Sequence, residues 1–168
     1  MNRPQPDEHA PFYKGYIETV ADDVIDELET QAHAFPDFLK ALPPEKADYA
    51  YAEEKWTLKE LLGHIIDTER IMTYRILCIS RQDPTPLPGF DENEYVKKSS
   101  YLNQDFGKLI EEFGVLRRAN LYLFRSLQES ELSYRGMANN CTVSVRALLF
   151  IIAGHVNHHR RIITERYL

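Results

Sequence analysis

Gly154-His155-Val156-Asn157-His158-His159-Arg160 packs three of the chain's six histidines into five positions. The residues around it predict a helix. Leu148, Ile152, His155, His159 and Ile162 recur at steps of four, three, four and three, the seam by which an amphipathic helix packs. His155 and His159 therefore stand one turn apart on the inward face, where Leu or Ile is expected. A buried imidazole needs partners for both nitrogens, and two stacked imidazoles invite a shared one. A metal ion would serve both; a hydrogen-bonded core pair is the alternative. The spacing matches that of the helical HExxH zinc pair, but position 156 is Val, so the glutamate base of a metalloprotease is missing. A third ligand from elsewhere decides the matter.

Working back along the chain, His64 is the candidate. Thr57 and Glu60 fit a capping box with Trp56 as its hydrophobic staple, which predicts a helix from there to about Arg81 on the apolar set Leu61, Ile65, Met72, Ile76 and Ile79. His64 shares a face of that helix with Leu61, Asp67 and Thr68. Two more main helices are predicted. One is capped by Asp22 or Asp23 and carries Val24, Ile25, Leu28, Phe35, Leu39 and Leu42, with a kink at Pro36 and a stop at Pro43-Pro44. The other starts near Asn103 on a seam of Phe106, Leu109, Phe113, Leu116, Leu123 and Leu127, with Asn120 as its one polar intruder. The helix carrying His155 starts at a Thr142 cap, after an irregular stretch in which Gly136 and Asn139-Asn140 form turns. Residues 1–21 read as an extended arm whose aromatics dock on the body. No strand pattern stands out. The expected architecture is all-α: one domain over residues 1–168, a four-helix bundle.

Residues 83–101, with Pro84, Pro86, Pro88 and Gly89, make a connection too long for a bundle hairpin, with a short helix from Asp91 to Lys98. Such a crossover lets the second and third helices run parallel, giving up-down-down-up order. The second and fourth helices are then antiparallel. At about 1.5 Å per residue, His64 lies ~10 Å from the start of one and His159 ~13 Å from the end of the other. All three imidazoles reach one level. Three neutral imidazoles leave positions for water or substrate on a divalent transition metal, and suit zinc, nickel, iron or copper alike.

Composition narrows the function. A net charge of −6 argues against nucleic acid and gives no attraction to anionic membranes. There is no long apolar run and no leader pattern, so a cytoplasmic protein is expected. Cys78 and Cys141 read as free thiols rather than a disulfide.

Lys55-Trp56-Thr57-Leu58-Lys59-Glu60-Leu61-Leu62-Gly63-His64-Ile65-Ile66-Asp67-Thr68-Glu69-Arg70 resembles the second-helix signature of the DinB/YfiT-like superfamily. Thr85 to Tyr95 resembles its crossover, and Gly154 to Leu168 its terminal helix. The resemblance implies an up-down-down-up bundle, commonly a homodimer, with His64, His155 and His159 on a divalent metal such as nickel or zinc. It implies a small-molecule substrate, and either hydrolysis or S-transfer with a low-molecular-weight thiol; the alternatives are a non-catalytic metal- or small-molecule-binding stress-response protein and a purely structural dimeric bundle. The chain departs from the pattern at Val156-Asn157 and Arg160-Arg161.

Around that centre, Asp67 is either a group that orients His64 or acts as base, or a solvated helix carboxylate. Glu69 falls near the apolar set and reads as the partner of Arg117 or Arg118; Asn120 is either a core amide bonded to backbone or a group supporting the metal ligands. His158 is off the seam. Phe90, Asp91 and Tyr95 are placed to cover the site's mouth, and His9 and His33 read as surface residues.

Overall fold

A computed structural model describes all 168 residues. Its helices are α1 (Lys14–Ile17), α2 (Val24–Lys40), α3 (Leu58–Ser80), α4 (Glu92–Lys98), α5 (Phe106–Ser126), α6 (Glu129–Leu132) and α7 (Val145–Ile162). Four of them, α2, α3, α5 and α7, form the bundle. Both α2 and α3 pack on α5 and α7, so α2 and α3 are diagonal to each other.

Side-chain pairings fix the directions. Glu69 meets Arg117 near the middle of α3 and α5, and Arg81 meets Glu131 beyond their far ends, so these helices run parallel. Tyr167 Oη, just past α7, donates to the Trp56 carbonyl just before α3, so α3 and α7 are antiparallel. The order is up-down-down-up, and the long connection between α3 and α5 is what permits it.

The local signals act as their chemistry dictates. Thr57 and Glu60 form the capping box that starts α3. Asp23, Asp91, Asp105 and Ser144 each accept a backbone N–H at the start of a helix. Pro36 lies inside α2, buried, and the helix stops at Lys40, ahead of Pro43-Pro44.

Four expectations need correction. Residues 1–21 are not extended: they fold into successive short turns, at Pro6–Glu8, Pro11–Tyr13 and α1, the last of which packs on α7. Arg3 holds the last turn shut by donating to the Ile17 and Val20 carbonyls. Residues 135–144 form an antiparallel hairpin, β1 (Arg135–Ala138) and β2 (Cys141–Ser144). Its two-residue turn puts Asn139 and Asn140 at φ 52° and 58°, the left-handed pair that a tight hairpin requires. Because Thr142 belongs to β2, it does not cap α7; Ser144 does, its hydroxyl 3.0 Å from Ala147 N. Finally, α5 begins at Phe106, and its inward seam is Leu109, Phe113, Arg117, Leu121 and Phe124, with Leu116 and Leu123 only partly covered.

The core is two apolar clusters rather than one. One gathers Leu28, Met72, Ile76, Leu121 and Phe124 with the first half of α7. The other gathers Phe35, Leu39, Leu61, Ile65, Leu109 and Phe113 with Val156 and Ile163. A polar layer to which every main helix contributes lies between them. Arg117 is wholly buried and donates to both carboxylate oxygens of Glu69, at 2.8 and 2.9 Å, to Gln31 Oε1 at 2.8 Å and to the Leu28 carbonyl. Gln31 donates to the Ala153 carbonyl and to Asn157 Oδ1. Asn120 donates to Glu69 as well. Such a network is satisfied in one register only, so it sets how the four helices align along their axes. The two cysteines are free. No helix is long and apolar enough to cross a membrane.

Candidate metal centre

Antiparallel packing of α3 on α7 brings His64 against His155 and His159. The Nε2 atoms of His64 and His159 each lie 3.0 Å from His155 Nε2, and one nitrogen from each of the three residues lies within 4.8 Å of the others. All three rings are buried.

Glycines admit what presses the centre from either side. Gly63, next to His64, faces the ring of Tyr101, and Gly154, next to His155, faces the backbone of Tyr16; a Cβ at either position would overlap its neighbour. The ring of Tyr16 in turn meets the His155 ring edge-on at 5.6 Å.

The electrostatics favour neutral rings. Burial pushes the His64 imidazole down to about 4, helped by nearby His158. Burial likewise holds His155 and His159 well below the usual histidine range, with the neighbouring imidazoles adding to it. A neutral imidazole nitrogen carries either one in-plane lone pair or one hydrogen. His155 Nε2 can therefore match one of its two Nε2 neighbours by hydrogen bonding, but not both. Meanwhile His159 Nδ1 is buried with no partner on its other side. Three convergent lone pairs around a cation resolve the mismatch, and zinc–imidazole distances of about 2.0–2.1 Å suit a cluster this tight. The donor set fits a divalent transition metal.

The cluster forms one wall of a cavity of about 360 Å³. Thr68, Met72 and Arg75 continue its α3 side, while Phe12, Tyr13 and Tyr16 from the N-terminal turns cover it. From the crossover, Phe90 and Glu92 reach the cavity; Asp91 caps α4 and Tyr95 packs on Phe90 at 5.3 Å. A second cavity of about 260 Å³ lies across Trp56 and His159, which line both, and includes His158. The His158 ring stands 5.0 Å from that of His159, outside the three-nitrogen cluster.

Asp67 is not with the histidines. Its carboxylate accepts from Tyr101 Oη at 2.7 Å and lies 3.5 Å from Arg70, and it lines neither cavity. Sequence reasoning also missed Tyr13, Tyr16 and Arg75. Arg75 had a signal, a cation directly before Ile76 in the buried stripe of α3; the tyrosines had none beyond their aromatic character.

A parallel-paired four-helix bundle with three histidines converging at its α3–α7 contact defines a class of candidate metalloprotein. Residues 27–163 match the DinB superfamily, and the chain belongs to it. Among solved structures it is similar to YfiT from Bacillus subtilis, described as a probable metal-dependent hydrolase with an unusual four-helix bundle topology. The TM-score is 0.67 at 17% identity, over 96% of this chain and 89% of that one. It is also similar to a mycothiol-dependent maleylpyruvate isomerase, with a TM-score of 0.68 at 13% identity, over 85% of this chain and 60% of that one. At these identities the likeness is one of fold. No curated protein matches the chain in sequence.

Proposed function

We propose that the chain is a divalent-metal-dependent enzyme acting on a small molecule, by hydrolysis or by S-transfer with a low-molecular-weight thiol. His64, His155 and His159 would be the protein ligands, nickel or zinc the metal, and a homodimer the working form. The observation that carries this reading is the triple convergence of Nε2 atoms that cannot satisfy one another. Its support from relatives is that one fold neighbour is described as a probable metal-dependent hydrolase and another as a mycothiol-dependent isomerase.

The chemistry such an ion supplies is Lewis acidity, which makes a water or a thiol acidic near neutral pH. The chain's own residues do the rest. The three buried imidazoles stay neutral and keep their lone pairs available. Phe12, Tyr13 and Tyr16 cover the cavity and limit bulk water. Asp67 enters as a positioning group, because it holds the hydroxyl of Tyr101, whose ring packs on Gly63 beside His64.

The test is elemental analysis of protein purified without a histidine tag or chelator. About one equivalent of transition metal is expected, absent from His64→Ala and His159→Ala variants that keep wild-type circular dichroism. Wild-type protein that carries no metal and takes up neither nickel nor zinc overturns the reading. Metal-dependent turnover with and without an added thiol then separates transfer from hydrolysis.

A further inference from the structure

The chain has two arginines that are almost wholly covered, and they are treated differently. Arg117 is paired with Glu69 in the polar layer. Arg75, 3% exposed, makes no ion pair; its guanidinium donates to the Pro88 carbonyl at 2.7 Å and lies 3.4 Å from Met72 Sδ. A guanidinium cannot shed its proton, so the usual escape of a buried charge, neutralisation, is closed to it. Burying an unpaired cation is unfavourable unless an anion meets it. Arg75 lines the same cavity as the three histidines.

His64, Thr68, Met72 and Arg75 follow one another along the cavity side of α3, so about 16 Å of helix separates the first from the last at ~1.5 Å per residue. The Met72 contact shows that the Arg75 side chain turns back toward the start of α3, as long helix side chains do, and so toward the histidines. Beside it stands the Tyr13 phenol: burial pushes that group up, and the Arg75 guanidinium pulls the other way. The one carboxylate on the cavity, Glu92, is exposed at the rim and makes no ion pair with Arg75.

We infer that Arg75, with the Tyr13 hydroxyl, receives a carboxylate at one end of an elongated small molecule whose other end lies against the histidine cluster. A single guanidinium fork matches a carboxylate in charge and in planar two-oxygen geometry; a phosphate dianion would call for further cations. Met72, Ile151 and Phe90 line the same cavity, so the body that carries the carboxylate is apolar. The inference rests on the metal-dependent reading for what happens at the other end, and on Arg75 and Tyr13 for the anion.

The experiment uses metal-loaded full-length protein and phenyl-terminated straight-chain carboxylates of increasing length, each compared with its primary amide, by titration calorimetry. Metal content is measured on the same samples. For the best chain length the wild type should bind carboxylate at least ten-fold more tightly than amide. Arg75→Met should abolish that preference without loss of metal or of melting temperature, and Arg75→Lys should keep part of it. Failure of every carboxylate to bind at millimolar concentration, equal binding of acid and amide, or a preference that survives in Arg75→Met overturns the inference. Full metal occupancy with no carboxylate preference sinks the anion site alone; a carboxylate preference in protein that takes up neither nickel nor zinc upholds the anion site while the metal reading fails.

Discussion

Gly154 faces the carbonyl oxygen of Tyr16 so closely that a methyl group at 154 would overlap that oxygen. The N-terminal turns are thereby seated on α7 directly beside His155. They are not a peripheral appendage, since Phe12, Tyr13 and Tyr16 line the cavity.

Gly154→Ala should unseat them. The alanine raises helix propensity by about 1 kcal/mol, but the collision is with backbone, which cannot rotate away, and overpacking of this kind costs about 1–3 kcal/mol. The expected net result is a lower unfolding midpoint in denaturant and faster proteolytic cutting within residues 1–20. Gly15→Ala is the control: nothing lies within 4 Å of a Cβ there, so stability should hold or rise slightly.

Metal should stabilise the wild type by mass action. At a free concentration a hundred-fold above Kd the gain is about 2.7 kcal/mol. For a domain of this size each kcal/mol moves the melting temperature by about 2–4 °C. Added nickel or zinc should therefore raise the wild-type midpoint by several degrees and leave His64→Ala where it was. Equal shifts in both proteins would mean that the ion binds elsewhere.

Breaking the buried ion pair on one side should cost far more than removing it whole. Arg117→Met strands the Glu69 carboxylate, a change worth about 3–5 kcal/mol. Glu69→Met combined with Arg117→Met leaves no stranded charge and should recover a large part of that loss. Denaturant titrations of the two singles and the double form the cycle that decides it.

Two tyrosines should make the fold sensitive to alkali. Burial pushes the Tyr101 hydroxyl well up, and its bond to Asp67 adds to this; burial also raises Tyr167, which donates to the Trp56 carbonyl. Below pH ~10 both states hold these protons and the contribution is whole. Above it the unfolded chain loses them first, so stability falls as pH rises. Tyr101→Phe and Tyr167→Phe should each be less stable at neutral pH and show a shallower loss above pH ~10.

What the sequence made legible was whatever depends on local chemistry or on a long period. Thr57 with Glu60 located the start of α3, and the proline-rich crossover gave the topology. Helix rise then placed His64 level with His155 and His159. Where tertiary contacts overrule the local pattern, the reading slipped. On α5 the leucines at 116 and 123 look like a seam, yet the inward position belongs to Arg117, because a carboxylate on another helix makes that burial tolerable. The hairpin of residues 135–144 has strands of four residues, too short to show alternation, and its last residue rather than Thr142 supplies the cap. The N-terminal turns are three or four residues each, stable only through what they pack on. Tyr13 and Tyr16 reach the cavity by that docking alone.

His64 and His155 are 91 positions apart, and their nitrogens lie 3.0 Å from one another. A link through that point would join two helices that are far apart along the chain. An ion held there would act as a clasp fastened after the bundle has assembled: it would add nothing to the encounter of the helices and would have to be undone before α3 and α7 could part. Its kinetic signature would be slow unfolding at unchanged refolding rate.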